Sequence, residues 1–168
     1  MKTRLAAFIL IFSTFTPSIA EEVKPLVIVN APETWKVEFQ GNNVLQVYSV
    51  TRKEGGLASL QFTRFPGDIK TKQNLEDVEI RAASLLALAE GQKHLTLKSL
   101  APKNNDFKRG EIHGDAFSGR FAKFEMEGEL YKILFIIGDS EQNFPGEFIG
   151  KEEHWFEALS ILQKLKKG

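Results

Sequence analysis

Three histidines, His94, His113 and His154, are the first residues to weigh for chemistry. They lie 19 and 41 residues apart, so no pair has the one-turn spacing of a helical zinc motif. Glu152-Glu153-His154 lacks the leading histidine of His-Glu-x-x-His. Glu111, His113 and Asp115 stand at alternate positions, and on a strand their side chains would share one face. A metal would need a second segment to complete that set, and a solvated sheet edge explains the three more simply. Gly-x-Ser-x-Gly does not occur; Ser118 and Ser140 sit in or beside turns, where hydroxyls make local hydrogen bonds. Glu125, Glu127 and Glu129 alternate, with Gly128 placing the last two at a wet tip. Acid–base work needs burial to drive two carboxyl pKa values apart, and such a tip does not provide it. Gly110, Gly114 and Gly119 read as turns or bulges, and the phosphate-cradling glycine patterns are missing. The expectation is no catalytic residue, no metal site and no cofactor.

The aromatic residues say more. Fourteen Phe, two Trp and two Tyr are present, most of them suited to a core. Phe144 and Phe148 differ because they lie in the Pro/Gly-rich run Asn143-Phe144-Pro145-Gly146-Glu147-Phe148. A loop holding two phenylalanines beside Trp155 of the last helix predicts an apolar cleft or partner surface. Arg120, with Lys123 and Lys132, would rim it. The expected ligand- or partner-binding residues are therefore Phe144, Phe148, Trp155 and Arg120.

The elements that must position them follow from periodicity. Trp35, Val37 and Phe39 alternate with Lys36, Glu38 and Gln40, giving a strand with one buried face. Further strands are expected over residues 44–50 and 57–65, separated by Gly-rich turns, as an antiparallel meander. Leu75, Val78, Ala82, Leu85, Leu86 and Ala89 recur at helical spacing, so a helix is expected from Asn74 to Gly91. Residues 94–100, 108–113 and 116–127 read as strands. Residues 131–137 form the most apolar run outside the leader, and the lack of alternation predicts a central strand buried on both faces. Residues 143–150 read as turn-rich, with at most one short strand. A final helix is expected over residues 152–167, with Glu152 and Glu153 at its start and three lysines offsetting the dipole at its end.

Met1-Lys2-Thr3-Arg4, the apolar run from Leu5 to Phe15 and the small residues Ser18 and Ala20 have the layout of a cleaved secretory signal. The apolar run is too short for a membrane span, which needs roughly 20 residues. Residues 1–20 are thus expected to leave, and residues 21–168 to form one domain in the periplasm or outside the cell. No cysteine is present, which excludes disulfides, thiol chemistry and a lipidated cysteine anchor. The chain's 22 basic residues match its 22 acidic ones, and loss of Lys2 and Arg4 leaves a small negative excess. Such a balance gives no general attraction to nucleic acid.

Ala31-Pro32-Glu33-Thr34-Trp35-Lys36-Val37, the strand–turn–strand run from Gly119 to Ile137 and the closing Trp155-Phe156-Glu157-Ala158-Leu159 segment resemble the PsbP/Mog1-like superfamily. That resemblance implies an α+β fold, a mostly antiparallel β-sheet flanked by helices as an α/β/α sandwich. It also implies a role in binding larger partners rather than turnover. The expected function is a non-enzymatic envelope binding or accessory domain for a protein partner or a small apolar ligand. The alternatives are a small envelope hydrolase with a converged site and a structural, oligomer-forming domain. No nucleic-acid partner and no membrane span after leader removal are expected, and a homodimer is one expected assembly.

Overall fold

The computed structural model describes residues 23–69 and 107–168. The expected leader, the helix from 74 to 91, the strand from 94 to 100 and His94 all lie outside the described residues. Nine strands and one α-helix are described: β1 (Val27–Ile28), β2 (Trp35–Gly41), β3 (Gln46–Arg52), β4 (Ala58–Pro66), β5 (Lys108–His113), β6 (Ser118–Glu125), β7 (Tyr131–Gly138), β8 (Gln142–Gly150), α1 (Glu152–Gln163) and β9 (Lys166–Lys167).

Seven strands form one antiparallel sheet in the order β2-β3-β4-β8-β7-β6-β5. It consists of two meanders, β2-β3-β4 and β5-β6-β7-β8, joined where β4 pairs with β8. Short polar turns close the hairpins. Between β2 and β3 the Asn42 side-chain oxygen accepts the backbone N–H groups of Val44 at 2.8 Å and Leu45 at 2.9 Å. Between β3 and β4, Gly55 and Gly56 take φ values of 85° and 106°, which favour glycine.

The α/β/α sandwich expectation is corrected here. The described chain is β-rich, with a single α-helix lying on one face of a broad antiparallel sheet. The segment from 142 to 150 adds to the β content. Its Pro and Gly content reads as turn, yet it forms the nine-residue strand β8 between β4 and β7. Pro145 has no N–H to donate. Pairing with β4 runs from Ala58↔Gly150 to Phe62↔Gly146 and resumes at Phe65↔Asn143, skipping the rungs beside the proline. The β7 side runs unbroken from Tyr131↔Gly150 to Gly138↔Asn143. Gly146 has a packing reason. A Cβ there would stand 2.3 Å from Phe135 Cζ, and Phe135 is its register partner on β7. An aromatic ring occupies the space that the missing side chain leaves.

β7 is central and buried on both faces, as its apolar run predicts: Ile133, Leu134, Phe135, Ile136 and Ile137 are all buried. Alternation on β2 is only half realised. Trp35 is buried and Phe39 half-buried, but Val37 is 40% exposed because β2 is an edge strand. The last helix ends at Gln163, earlier than expected. Lys166 and Lys167 form β9 instead and pair with β1, so only Lys164 stands at the helix terminus.

The sheet's two faces differ. On one, α1 buries Trp155, Ala158, Ile161 and Leu162 over Tyr48, Leu60, Phe62, Ile133, Phe135, Phe144 and Phe148. On the other, Ala122, Phe124, Leu134 and Ile136 form a smaller cluster with Ile69, and Phe107 packs against it. Phe144 lies between Phe117 and Phe62, with ring centroids 5.0 and 6.1 Å away. Truncation should leave a cavity that this sheet cannot collapse into. Phe144→Ala is expected to lower the unfolding free energy by about 3–5 kcal/mol, read from the urea midpoint at unchanged m-value.

Candidate functional site

Register decides what each predicted binding residue can reach. Phe144 and Phe148 lie on the sheet face that α1 covers, and Trp155 projects from α1 into the same aromatic layer. Phe148 lies 5.5 Å from Trp155, and Phe121 lies 5.3 Å from Trp155 on its other flank. A second chain of rings runs from Phe39 through Tyr48 and Phe62 to Phe144. Phe144 and Phe148 are 0% exposed and Trp155 is 3% exposed, so the layer is sealed and presents no cleft. Arg120 is on the opposite face of the sheet, opposite Glu111 on β5. Lys123 and Lys132 do not converge on it. Lys123 pairs with Glu152 and lies 4.1 Å over the Tyr131 ring, while Lys132 pairs with Glu147 at 3.2 Å.

Arg120 belongs instead to a groove of about 300 Å³ between β5 and β6, lined by Phe107, Arg109, Gly110, Glu111, Phe121 and Ala122 as well. Strand alternation sets this up. Arg109 and Glu111 are two apart on β5, and they pair across with Ala122 and Arg120 on β6, so all four share one face. The Arg109 guanidinium lies 4.5 Å over the Phe107 ring, and Phe107 in turn packs 5.3 Å from Phe124. Gly110 lets the two strands carry this surface without crowding the core below. A Cβ on it would come within 2.3 Å of Phe121 Cζ, its register partner, whose ring packs against Trp155. The groove floor is thus tied to the aromatic layer on the reverse face. Sequence reasoning named Arg120 but missed Arg109 and Phe107. Their signal was the pairing of 108–113 with 116–127, which brings Arg109 diagonal to Arg120.

The titratable candidates fall elsewhere. His113 Nε2 lies 3.0 Å from a Glu111 carboxylate oxygen, as their alternate spacing allows, with both side chains exposed. Asp115 sits in the following turn, where its backbone N–H donates to the Gln163 carbonyl at 3.0 Å. His154 is buried on α1, 3.5 Å from Glu153. Among the described residues no group of three or more His, Asp and Glu is placed to hold a metal.

Three polar clusters that the sequence did not reveal are structural ties. Glu157 on α1 accepts the Trp35 indole N–H at 2.7 Å and the Arg52 guanidinium at 2.5 and 2.6 Å. The Arg52 hydrogen bond is the main reason its carboxyl pKa is lowered, against an opposing effect of burial and with help from Trp35. Gln46 and Tyr48 share the α1 face of β3 and hold the chain before β1. The Gln46 side-chain oxygen accepts Leu26 N–H at 2.9 Å and the Tyr48 hydroxyl at 2.6 Å, and Val27 N–H donates to that hydroxyl at 3.1 Å. Burial pushes the Tyr48 pKa up. Asp139, in the β7–β8 turn, accepts the N–H groups of Glu141 and Gln142 at 2.8 and 2.9 Å and pairs with Lys167 at 2.7 Å. Burial there favours the neutral acid, but Lys167 and the two N–H donors outweigh it, so its pKa is lowered.

No family model matches the chain, and no curated protein does. A solved structure from Bacteroides thetaiotaomicron VPI-5482 is similar at 14% identity with a TM-score of 0.48. The match covers 85% of this chain and 45% of that one, so the chain spans less than half of that structure. Among the described residues no helix is long and apolar enough to cross a membrane.

The depressed pKa of Glu157 makes its contribution pH-dependent. The stabilisation is present above its ordinary value of 4.5 and is lost as pH falls through the lower folded-state value. Glu157→Gln is expected to cost about 1 kcal/mol near neutral pH, a small figure because the carboxylate is partly exposed and screened. In urea melts that difference should stay constant down to about pH 5 and shrink steadily below it.

Proposed function

We propose that this chain is a non-enzymatic binding domain of the cell envelope. It takes a small ligand with one anionic group and an apolar body in the groove between β5 and β6. The observation that carries this reading is the placing of two guanidinium groups, Arg109 and Arg120, and the Phe107 ring around one concavity of about 300 Å³. Arginine presents a planar fork of donors that matches carboxylate or phosphate oxygens. Glu111 lines the same groove, so its described lining holds two basic side chains and one acidic one. The volume is at the small end for ligand sites and fits a short chain or a single ring. The signal-like leader supports the compartment, the periplasm or the exterior.

Calorimetric titration with octanoate tests the site, with octanol as the uncharged control. Octanoate is expected to bind saturably at one site and octanol at least about tenfold more weakly, since a charged hydrogen bond contributes about 1.5–3 kcal/mol. Arg120→Gln and Arg109→Gln should each weaken octanoate to a similar degree while leaving the melting temperature near that of the parent. Equal affinity for octanoate and octanol, or no loss in either variant, rejects the groove as the binding site.

A further inference from the structure

β2 ends the described sheet on one side. Among the described residues no strand lies beyond β2, and Lys36, Val37, Glu38, Gln40 and Gly41 are exposed. The strand pairs with β3 over seven unbroken rungs, from Trp35↔Arg52 to Gly41↔Gln46. It contains no proline, one of the devices that blunt natural sheet edges. The direction of its peptide groups follows from the hydrogen bonds at both ends of the hairpin. Lys53 N–H donates to the Thr34 carbonyl at 2.9 Å, and Asn42 N–H donates to the Leu45 carbonyl at 2.9 Å. In an antiparallel ladder alternate residues bond to the same neighbour. Lys36, Glu38 and Gln40 therefore bond inward to β3. Val37 and Phe39 direct their N–H and carbonyl groups outward, as does the Trp35 carbonyl. The Trp35 N–H is engaged by the Pro32 carbonyl at 2.9 Å.

A second copy joining this edge about a twofold axis must pair odd residues with odd residues, because only these have outward peptide groups. That leaves registers two residues apart in pairing. Centring on residue 36 sets Lys36 against Lys36 of the second copy, and centring on 38 sets Glu38 against Glu38. Centring on Val37 sets each Lys36 against Glu38 of the other copy. These lie in non-hydrogen-bonded rungs, where opposing side chains come closest. Val37 then meets its own counterpart on the α1 face, covering a valine that is 40% exposed in the single chain. The Lys36–Glu38 pair within each strand, at 2.6 Å in the single chain, is exchanged for a pair between strands, two in the dimer in place of two in the separate chains.

We infer that the protein forms a twofold dimer through antiparallel β2–β2 pairing centred on Val37, with a second copy of this chain as the occupant of the edge. The groove lies at the far edge of the sheet, on β5 and β6, and remains open in such a dimer.

Sedimentation across a range of protein concentrations reads the assembly. The parent protein is expected to dimerise reversibly, more weakly as salt rises. Lys36→Glu gives one copy two acids at these positions, and Glu38→Lys gives another two bases. Each alone should weaken dimerisation by about tenfold or more, while an equimolar mixture restores it as a heterodimer, because each acid again faces a base. Both side chains are about half exposed, so neither reversal disturbs the core. Val37→Cys supplies a second check in a chain with no other cysteine. Paired Cα atoms about 5.5 Å apart suit a disulfide. This variant should cross-link under mild oxidation, and Gln40→Cys should not. A parent protein that stays monomeric, charge reversals that dimerise undiminished, a mixture that stays monomeric, or equal cross-linking at both positions overturns the inference.

Discussion

Two locally wound meanders become one sheet only where Ala58–Pro66 meets Gln142–Gly150. Every other strand in that sheet pairs with a neighbour adjacent in sequence. The β4–β8 ladder closes a long span of chain, so it bears most of the entropic cost of the topology. It also positions α1. The helix begins two residues after β8 ends and can turn back only over the sheet that β8 has just joined. The aromatic layer, the Glu157 tie to Trp35 and Arg52 and the groove on the reverse face all presuppose that ladder.

Much of the local structure was legible in the sequence. Unbroken apolar residues marked β7 as buried on both faces, and the acidic start of the last helix marked its N-terminus. The reading failed where a residue type has two physical uses. Proline and glycine signal turns because they limit or free the backbone, but Pro145 occupies a strand and Gly146 makes room for the Phe135 ring. The terminal lysines suit a helix end electrostatically, but Lys166 and Lys167 form a strand with β1 instead. Such choices depend on tertiary partners that no local pattern contains.

The candidate site was legible to the extent that faces were. Arg120 was found, yet it was grouped with three aromatic residues on the other side of the sheet, two placed there by β-register and one carried by α1. A side chain's neighbours along a strand are ambiguous until the pairing is known, since a shift of one residue exchanges the faces. Once β5 is set against β6, Arg109, Glu111 and Arg120 come onto one surface without any motif joining them. The division of the faces follows. Packing toward α1 is apolar and aromatic with polar ties at its margins, and the reverse face carries charged residues on β5 beside a small apolar cluster.

The short β1–β9 ladder has a mechanical consequence. Val27 pairs with Lys167 and Ile28 with Lys166, and Gly168 N–H donates to the Leu26 carbonyl at 3.0 Å. The chain entering β1 and the chain leaving β9 therefore emerge side by side. Tension between them would load the rungs one at a time, as a zipper opens, rather than shearing them together. On the β1 side the Gln46–Tyr48 anchor, which holds Leu26 and Val27, would be loaded together with the outermost of these bonds. The fold would yield to pulling at its ends well before the β4–β8 junction was stressed.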